Sequence, residues 1–250
     1  MYRVSPIVKQ LLIINIIFFV GSTLSFNSDF IYSLFGLYFP ENPQFKFWQI
    51  ITHMFMHGNI QHILFNMFAL WMFGSSVESI FGAKKFLFFY ITCGLGAAFI
   101  QILFLYYVFY SNLYLLVSSG YDQSSILNIL AEGKYNTSWE GILGPKGLLD
   151  FNSSFFSSMV GASGAIMGVL VAFGMFFPDS KLMLIFLPVP IKAKYFIPGI
   201  ILLDLFSAIT GQAIFSPSNT AYVAHIGGAL TGFLIMYYWK KNQFTKNRWY

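Results

Sequence analysis

Apolar residues in this chain gather into long stretches, and the lengths of those stretches decide the kind of fold. A helix that crosses a bilayer needs roughly 20 mostly apolar residues. Six segments meet that need, at 8–26, 60–80, 86–109, 158–178, 195–215 and 220–239. The first has the length of a signal peptide, but Gly21-Ser22-Thr23-Leu24-Ser25 offers only a weak cleavage site and five further spans follow, so it reads as a retained helix. The pattern therefore predicts an all-α membrane protein, a six-transmembrane-helix bundle forming one domain over 1–250.

Two connections interrupt the bundle. Residues 27–59, with Pro40, Pro43 and several aromatics, are too apolar for a solvated linker and are expected to lie partly in the interface. Residues 111–157 carry Asp122, Glu132, Glu140 and Asp150 and read as a polar extracytoplasmic insertion. Connections of that length usually have structure or function of their own. No internal repeat, low-complexity tract or second soluble domain is present.

Composition agrees with the pattern. Hydrophobic residues make up 57% of the 250 positions and charged ones 9%, against about a quarter charged in soluble domains. The single cysteine, Cys93, excludes an intramolecular disulfide. Nothing resembles a nucleic-acid-binding motif.

Placement of charge gives orientation, because Lys and Arg near helix ends favour the cytoplasmic side. With the N-terminus inside, Arg3, Lys9, Lys84, Lys85, Lys181, Lys192, Lys194, Lys240, Lys241, Lys246 and Arg248 face the cytoplasm, and only Lys46, Lys134 and Lys146 lie outside. Tyr237-Tyr238-Trp239 then suits an aromatic belt at the inner end of the last span. The expected setting is a bacterial cytoplasmic membrane, with both termini cytoplasmic and the functional site opening to the extracytoplasmic side.

In that orientation the second, fourth and sixth spans all run inward, and their polar residues coincide in depth. His62 and Asn66 come early in the second span, while Ser163 and His225 each come about five residues into theirs, roughly 7 to 8 Å deep at 1.5 Å per residue. Intramembrane polar groups are costly and normally face a bundle interior or a water-filled cavity. Gly164 and Gly168 form a Gly-x-x-x-Gly pair, and Ala224, Gly228 and Gly232 form a second small-residue stripe, so these two helices are expected to pack closely. Ser163 and His225 then come within reach as nucleophile and general base. Asn66 and His62, one turn apart on one face, are candidate donors to an oxyanion, helped by backbone N–H groups at the start of the serine helix. Gly161 would let a substrate backbone approach closely.

Gly161-Ala162-Ser163-Gly164, Ala224-His225-Ile226-Gly227-Gly228 with Gly232, and His62-Ile63-Leu64-Phe65-Asn66 together resemble the motifs of rhomboid proteases. The run from Trp48 to Gly96, with Gly74, Glu78, Gly82 and Gly94, is also similar to that family. The resemblance implies a rhomboid-like bundle of six helices around a water-accessible Ser163–His225 dyad with no third carboxylate. It further implies a serine endopeptidase that needs no cofactor or metal and cuts single-span membrane proteins within the lipid bilayer, near the outer surface. Three departures stand out. Gln49 follows Trp48 where many members have Arg, Met167 replaces an aromatic that stacks on the catalytic histidine, and the 111–157 insertion exceeds the simplest members.

Blander readings of the same residues compete. A serine beside glycine in a membrane helix is usually a packing residue, and His62 or Asn66 could simply bond loop backbone. His53 and His57 have i, i+4 spacing, but Met54 stands where the zincin pattern needs Glu. Glu78 reads as a cap or loop anchor, and Asp204 has no assigned role. A catalytically silent rhomboid-like module that binds membrane segments is the main alternative; a transporter would show broken helices in repeated halves. The connection from Gly211 to Thr220, with Phe215 as an apolar plug, is expected to act as a lid over the dyad.

Overall fold

The computed structural model describes residues 4–184, 187–212, 214 and 221–243. The expected lid at 211–220, including Phe215, lies outside them apart from Gly211, Gln212 and Ile214. The chain is an all-α membrane bundle with one small hairpin. Its helices are α1 (Pro6–Leu24), α2 (Ser28–Phe35), α3 (Gln49–Thr52), α4 (Ile60–Ala69), α5 (Ser75–Phe81), α6 (Ala83–Ser118), α7 (Gln123–Ala131), α8 (Glu140–Phe156), α9 (Ser163–Phe176), α10 (Ala193–Thr210) and α11 (Tyr222–Gln243). A π-helical turn, Leu70–Gly74, joins α4 to α5 into one continuous span. The hairpin pairs β1 (Lys181–Leu184) with β2 (Leu187–Lys192), and Asp179 beside it accepts from Lys192 and Lys194, each at 3.0 Å.

Among the described residues four helices are long and apolar enough to cross a membrane, namely α1, the continuous 60–81 helix, α6 and α10. The expected count of six is not reached by that measure. The shortfall at α9 has a physical cause: 14 residues make a rod of about 21 Å, against a hydrocarbon core of ~30 Å. The chain ahead of it, expected to be helical from 158, spends its backbone hydrogen bonds on neighbours instead. Met159 and Leu37 exchange both bonds, at 2.8 and 2.9 Å, and the Gly161 N–H donates to the His53 carbonyl at 2.9 Å.

Burial separates the helices by role. In α9 the unbroken run Gly164 to Phe173 is buried, so this helix is the axis of the bundle. Conversely, α1 is peripheral and leaves Ile13, Ile16 and Ile17 about half exposed to the lipid. The N-terminal end of α1 is tied in by Glu78, whose carboxylate accepts from the N–H groups of Ile7 at 3.0 Å and Val8 at 2.9 Å and from the Ser5 hydroxyl. Those are the orphan donors of a helix start, and a carboxylate there also meets the positive end of the helix dipole.

Both long connections are folded. In the first, Gln49 is fully buried and its amide is saturated: Oε1 accepts from Lys46 N–H at 3.1 Å and Tyr38 N–H at 3.4 Å, while Nε2 donates to the Ser33 and Gln44 carbonyls at 2.9 and 3.0 Å. The Trp48 indole donates to the Leu34 carbonyl at 2.8 Å. A neutral amide thus orders this loop through four backbone partners. In the second, α7, α8 and the extended end of α6 close around a separate core of Phe109, Leu116, Ile126, Trp139 and Phe151, which also takes in Phe39 from the first connection.

Candidate active site

Ser163 is the first residue of α9 and is half-buried. Sequence alone placed it five residues inside a helix. It sits at the helix start because Gly161 has φ +126°, a conformation closed to residues with a side chain, so the chain turns into the helix only after it. As a result the Ser163 N–H belongs to the first, unsatisfied turn of α9.

The glycine stripes control where the rest of the site lies. A methyl at Gly228 would run into the Gly164 carbonyl, one at Gly232 would come within 2.7 Å of the Gly168 Cα, and one at Gly168 would lie 3.1 Å from the Gly228 carbonyl. Helices α9 and α11 therefore touch backbone to backbone. Gly164 also faces the carbonyl of Ala224, so the crossing begins at the neighbours of Ser163 and His225. Cys93 and Ala97 of α6 fill the remaining side of the contact.

His225, the fourth residue of α11, is 8% exposed. Its Nδ1 lies 2.7 Å from Oδ2 of Asp204 on α10, and Asp204 is 1% exposed. A carboxylate accepts, so Nδ1 carries the proton and Nε2 is the ring nitrogen left for other chemistry. The rhomboid resemblance implied no third carboxylate; the structure supplies one. Its sequence signal was an acid inside an apolar span, which nearly always has a partner. Which partner it has depends on how α10 packs on α11.

His62 reaches the same place from α4. A Cβ built on Gly161 would lie 2.7 Å from His62 Nε2 and 3.6 Å from Ser163 Oγ, so glycine is the only residue that leaves room between them. The Asn59 side chain caps α4 by accepting from the His62 N–H at 2.8 Å, and the Gly58 N–H points at His62 Nδ1 at 3.4 Å. With Nδ1 as acceptor, the neutral ring presents Nε2–H toward Ser163. His62 is also close enough to His225 to interact with it electrostatically. One turn further along α4, Asn66 is buried and its Nδ2 meets no acceptor among the described residues.

His53 and His57 form the wall behind this cluster. His53 donates from Nδ1 to the Gln49 carbonyl at 2.8 Å, and the rings of His57 and His62 sit 5.0 Å apart. Burial pushes His53 down to about 4 and His57 down to about 3, so both stay neutral at physiological pH. Among the described residues no group of three or more His, Cys, Asp or Glu is arranged to hold a metal ion.

Comparison with known proteins gives a consistent picture. The rhomboid domain family model matches residues 44–242. The chain is 28% identical over 214 residues to the presenilin-associated rhomboid-like protein, mitochondrial, of Homo sapiens and to its zebrafish counterpart, protein A of Danio rerio. Each match covers 82% of this chain and 43% of the relative. Rhomboid protein 1, mitochondrial, of Saccharomyces cerevisiae is 27% identical over 192 residues, covering 77% of this chain and 42% of its own. The chain thus spans less than half the length of the curated relatives it matches. The expectation of a bacterial cytoplasmic membrane, with the sidedness that went with it, is overturned here, because these relatives are mitochondrial proteins and point to a mitochondrial membrane. Cation placement reports a side of the membrane but not which membrane, so it could not have made that distinction.

Proposed function

Because the chain belongs to the rhomboid family, we propose that it is an intramembrane serine endopeptidase in which Ser163 is the nucleophile and His225 the general base. The observation that carries this reading is the backbone contact of α9 with α11, which brings the residues beside Ser163 and His225 together at the start of the crossing. Ser163 Oγ attacks the scissile carbonyl of a membrane-spanning substrate while His225 Nε2 takes its proton. The imidazolium then returns that proton to the leaving amine, and water hydrolyses the acyl-enzyme by the same steps in reverse.

Negative charge on the tetrahedral oxygen is met by three donors: His62 Nε2–H, the Asn66 Nδ2–H, which meets no acceptor among the described residues, and the Ser163 N–H at the positive end of α9. Gly161, without a side chain, leaves the carbonyl room to enter between His62 and Ser163. The substrates fitting such a site are single-span membrane proteins, because a helix must unwind locally before its carbonyls can be attacked.

The test is cleavage of reconstituted single-span membrane segments, with a fluorophosphonate as a substrate-independent probe of Ser163. Ser163→Ala and His225→Ala should each abolish cleavage and labelling in a protein that still purifies folded, since nucleophile and base act as a unit. Asn66→Ala should lower turnover by about 100- to 1,000-fold with little change in apparent affinity. Wild-type rates from Ser163→Ala would end the serine-protease reading, whereas a wild type that binds the segments without cutting them would leave a membrane-segment-binding module.

A further inference from the structure

The carboxylate at Asp204 is the least expected group in the molecule. It lies in the apolar helix α10, is 1% exposed, and is 2.7 Å from His225 Nδ1. Placing an acid in a bilayer span is expensive, and such residues face the bundle interior toward a partner. Joining α10 to α11 does not require one, because apolar side chains of similar volume serve a buried contact equally well or better. What an acid at Nδ1 adds is a directional demand on the ring. It holds the neutral imidazole as the Nδ1–H tautomer, which puts the basic lone pair on Nε2, and it stabilises the imidazolium that forms when Nε2 takes a proton.

A second observation concerns what else could orient that ring. Met167, one turn after Ser163 on α9, is buried at 5% exposure, and among the described residues no aromatic ring stacks on His225. A thioether packs against an imidazole face but does not select one ring orientation over its flip. The hydrogen bond to Asp204 does. Tyr222, one turn before His225 on α11, also lies within electrostatic reach of that carboxylate, so the pair forms part of the α10–α11 junction.

We propose that Asp204 is a positioning residue that completes a Ser163–His225–Asp204 triad, orienting the His225 ring by an anchored hydrogen bond. The proposal rests on the serine-protease reading above. Asp204 touches neither substrate nor Ser163 in this role; it acts by fixing which nitrogen of His225 is basic and where that nitrogen points.

The experiment uses the full chain in lipid, as wild type, Ser163→Ala, Asp204→Asn and Asp204→Glu. Each is followed by kcat and KM on a single-span substrate, by fluorophosphonate labelling, and by 15N NMR of the histidine rings, with His225 assigned by its own substitution. Asp204→Asn keeps the shape but offers an N–H to Nδ1. It should lower kcat by about 10⁴-fold, as the same change of the triad aspartate does in another serine protease, with KM changed less than about threefold. The neutral His225 proton should move from Nδ1 to Nε2, and labelling should slow in parallel with kcat. Asp204→Glu should restore the Nδ1–H signature and part of the turnover. An Asp204→Asn enzyme that keeps kcat within about tenfold of wild type overturns the proposal. So does a loss shared equally by Asp204→Asn and Asp204→Glu with the Nδ1–H signal unchanged, which would make Asp204 only a fold contact. Cleavage that survives Ser163→Ala would bring down the serine-protease reading itself, a result that the Asp204 variants alone could not produce.

Discussion

Gly164, Gly168, Gly228 and Gly232 bring α9 and α11 together backbone to backbone, whereas the 111–157 insertion is held by rings. Phe109 lies 5.0 Å from Phe151, 5.6 Å from Phe155 and 5.1 Å from Phe39, and Trp139 closes the cluster 5.9 Å from Phe151. The two regions answer different physical problems. Between helices in lipid there is little hydrophobic driving force, so stability comes from close approach, and any added atom forces the helices apart. The ring cluster is stabilised by buried area and ring geometry, so it loses stability when atoms are removed. The proposed site lies in the first kind of region, where positions are set by the backbone and have little freedom to drift.

The largest effect should therefore come from adding a single methyl group. Helix propensity alone favours Ala over Gly by about 1 kcal/mol, but at Gly228 the methyl would collide with the Gly164 carbonyl of the neighbouring helix. Gly228→Ala should abolish cleavage and lower the melting temperature in detergent, while Gly141→Ala in α8, with nothing within 4 Å of the new carbon, should do neither. Equal behaviour of the two would erase the distinction between the regions.

Removing a ring should have a smaller and more local effect. Phe151→Ala is expected to destabilise the insertion by about 3–5 kcal/mol, seen as faster amide exchange and proteolysis across 120–157. Fluorophosphonate labelling of Ser163 should stay within a few-fold of wild type. A proportional loss of labelling would mean that the insertion supports the site directly.

Acid should produce the smallest effect and act on the bundle side. His53 and His57 are held neutral by burial, at about 4 and about 3, below the ordinary 6.5 that they regain on unfolding. A depressed histidine contributes stability that is complete above the unfolded value and declines as pH falls below it, because the unfolded chain then binds the extra protons. Lowering pH from about 7 to about 6 should cost on the order of 1 kcal/mol, measurable as a drop in melting temperature, and His57→Leu should remove about half of that drop. A melting temperature that rises over this interval would contradict the neutral assignment.

Much of this was legible in the chain because it depends on short-range spacing. Unbroken apolar length gave the membrane bundle, four-residue spacing put the glycines on one face, and i, i+4 spacing put His62 and Asn66 on one side of α4. Glu78 was readable as a cap from its place near a span end. The start of α9 was misplaced because nothing in residues 158–162 is polar enough to break an apolar run; their backbone bonds to Leu37 and His53 are what stop the helix.

What the sequence determined by itself, then, was the class of fold and the choice of Ser163, His225, His62 and Asn66 as candidates, since these follow from side-chain chemistry and helical period. Only the tertiary structure decided that Gln49 saturates its loop through four backbone partners, that Phe39 joins a core built 70 to 116 residues later in the chain, and that Asp204 meets His225 across two helices. The reason is common to all three. A buried polar or aromatic group must find a partner, but the partner it finds is set by which helices pack together, and local sequence carries no record of that choice.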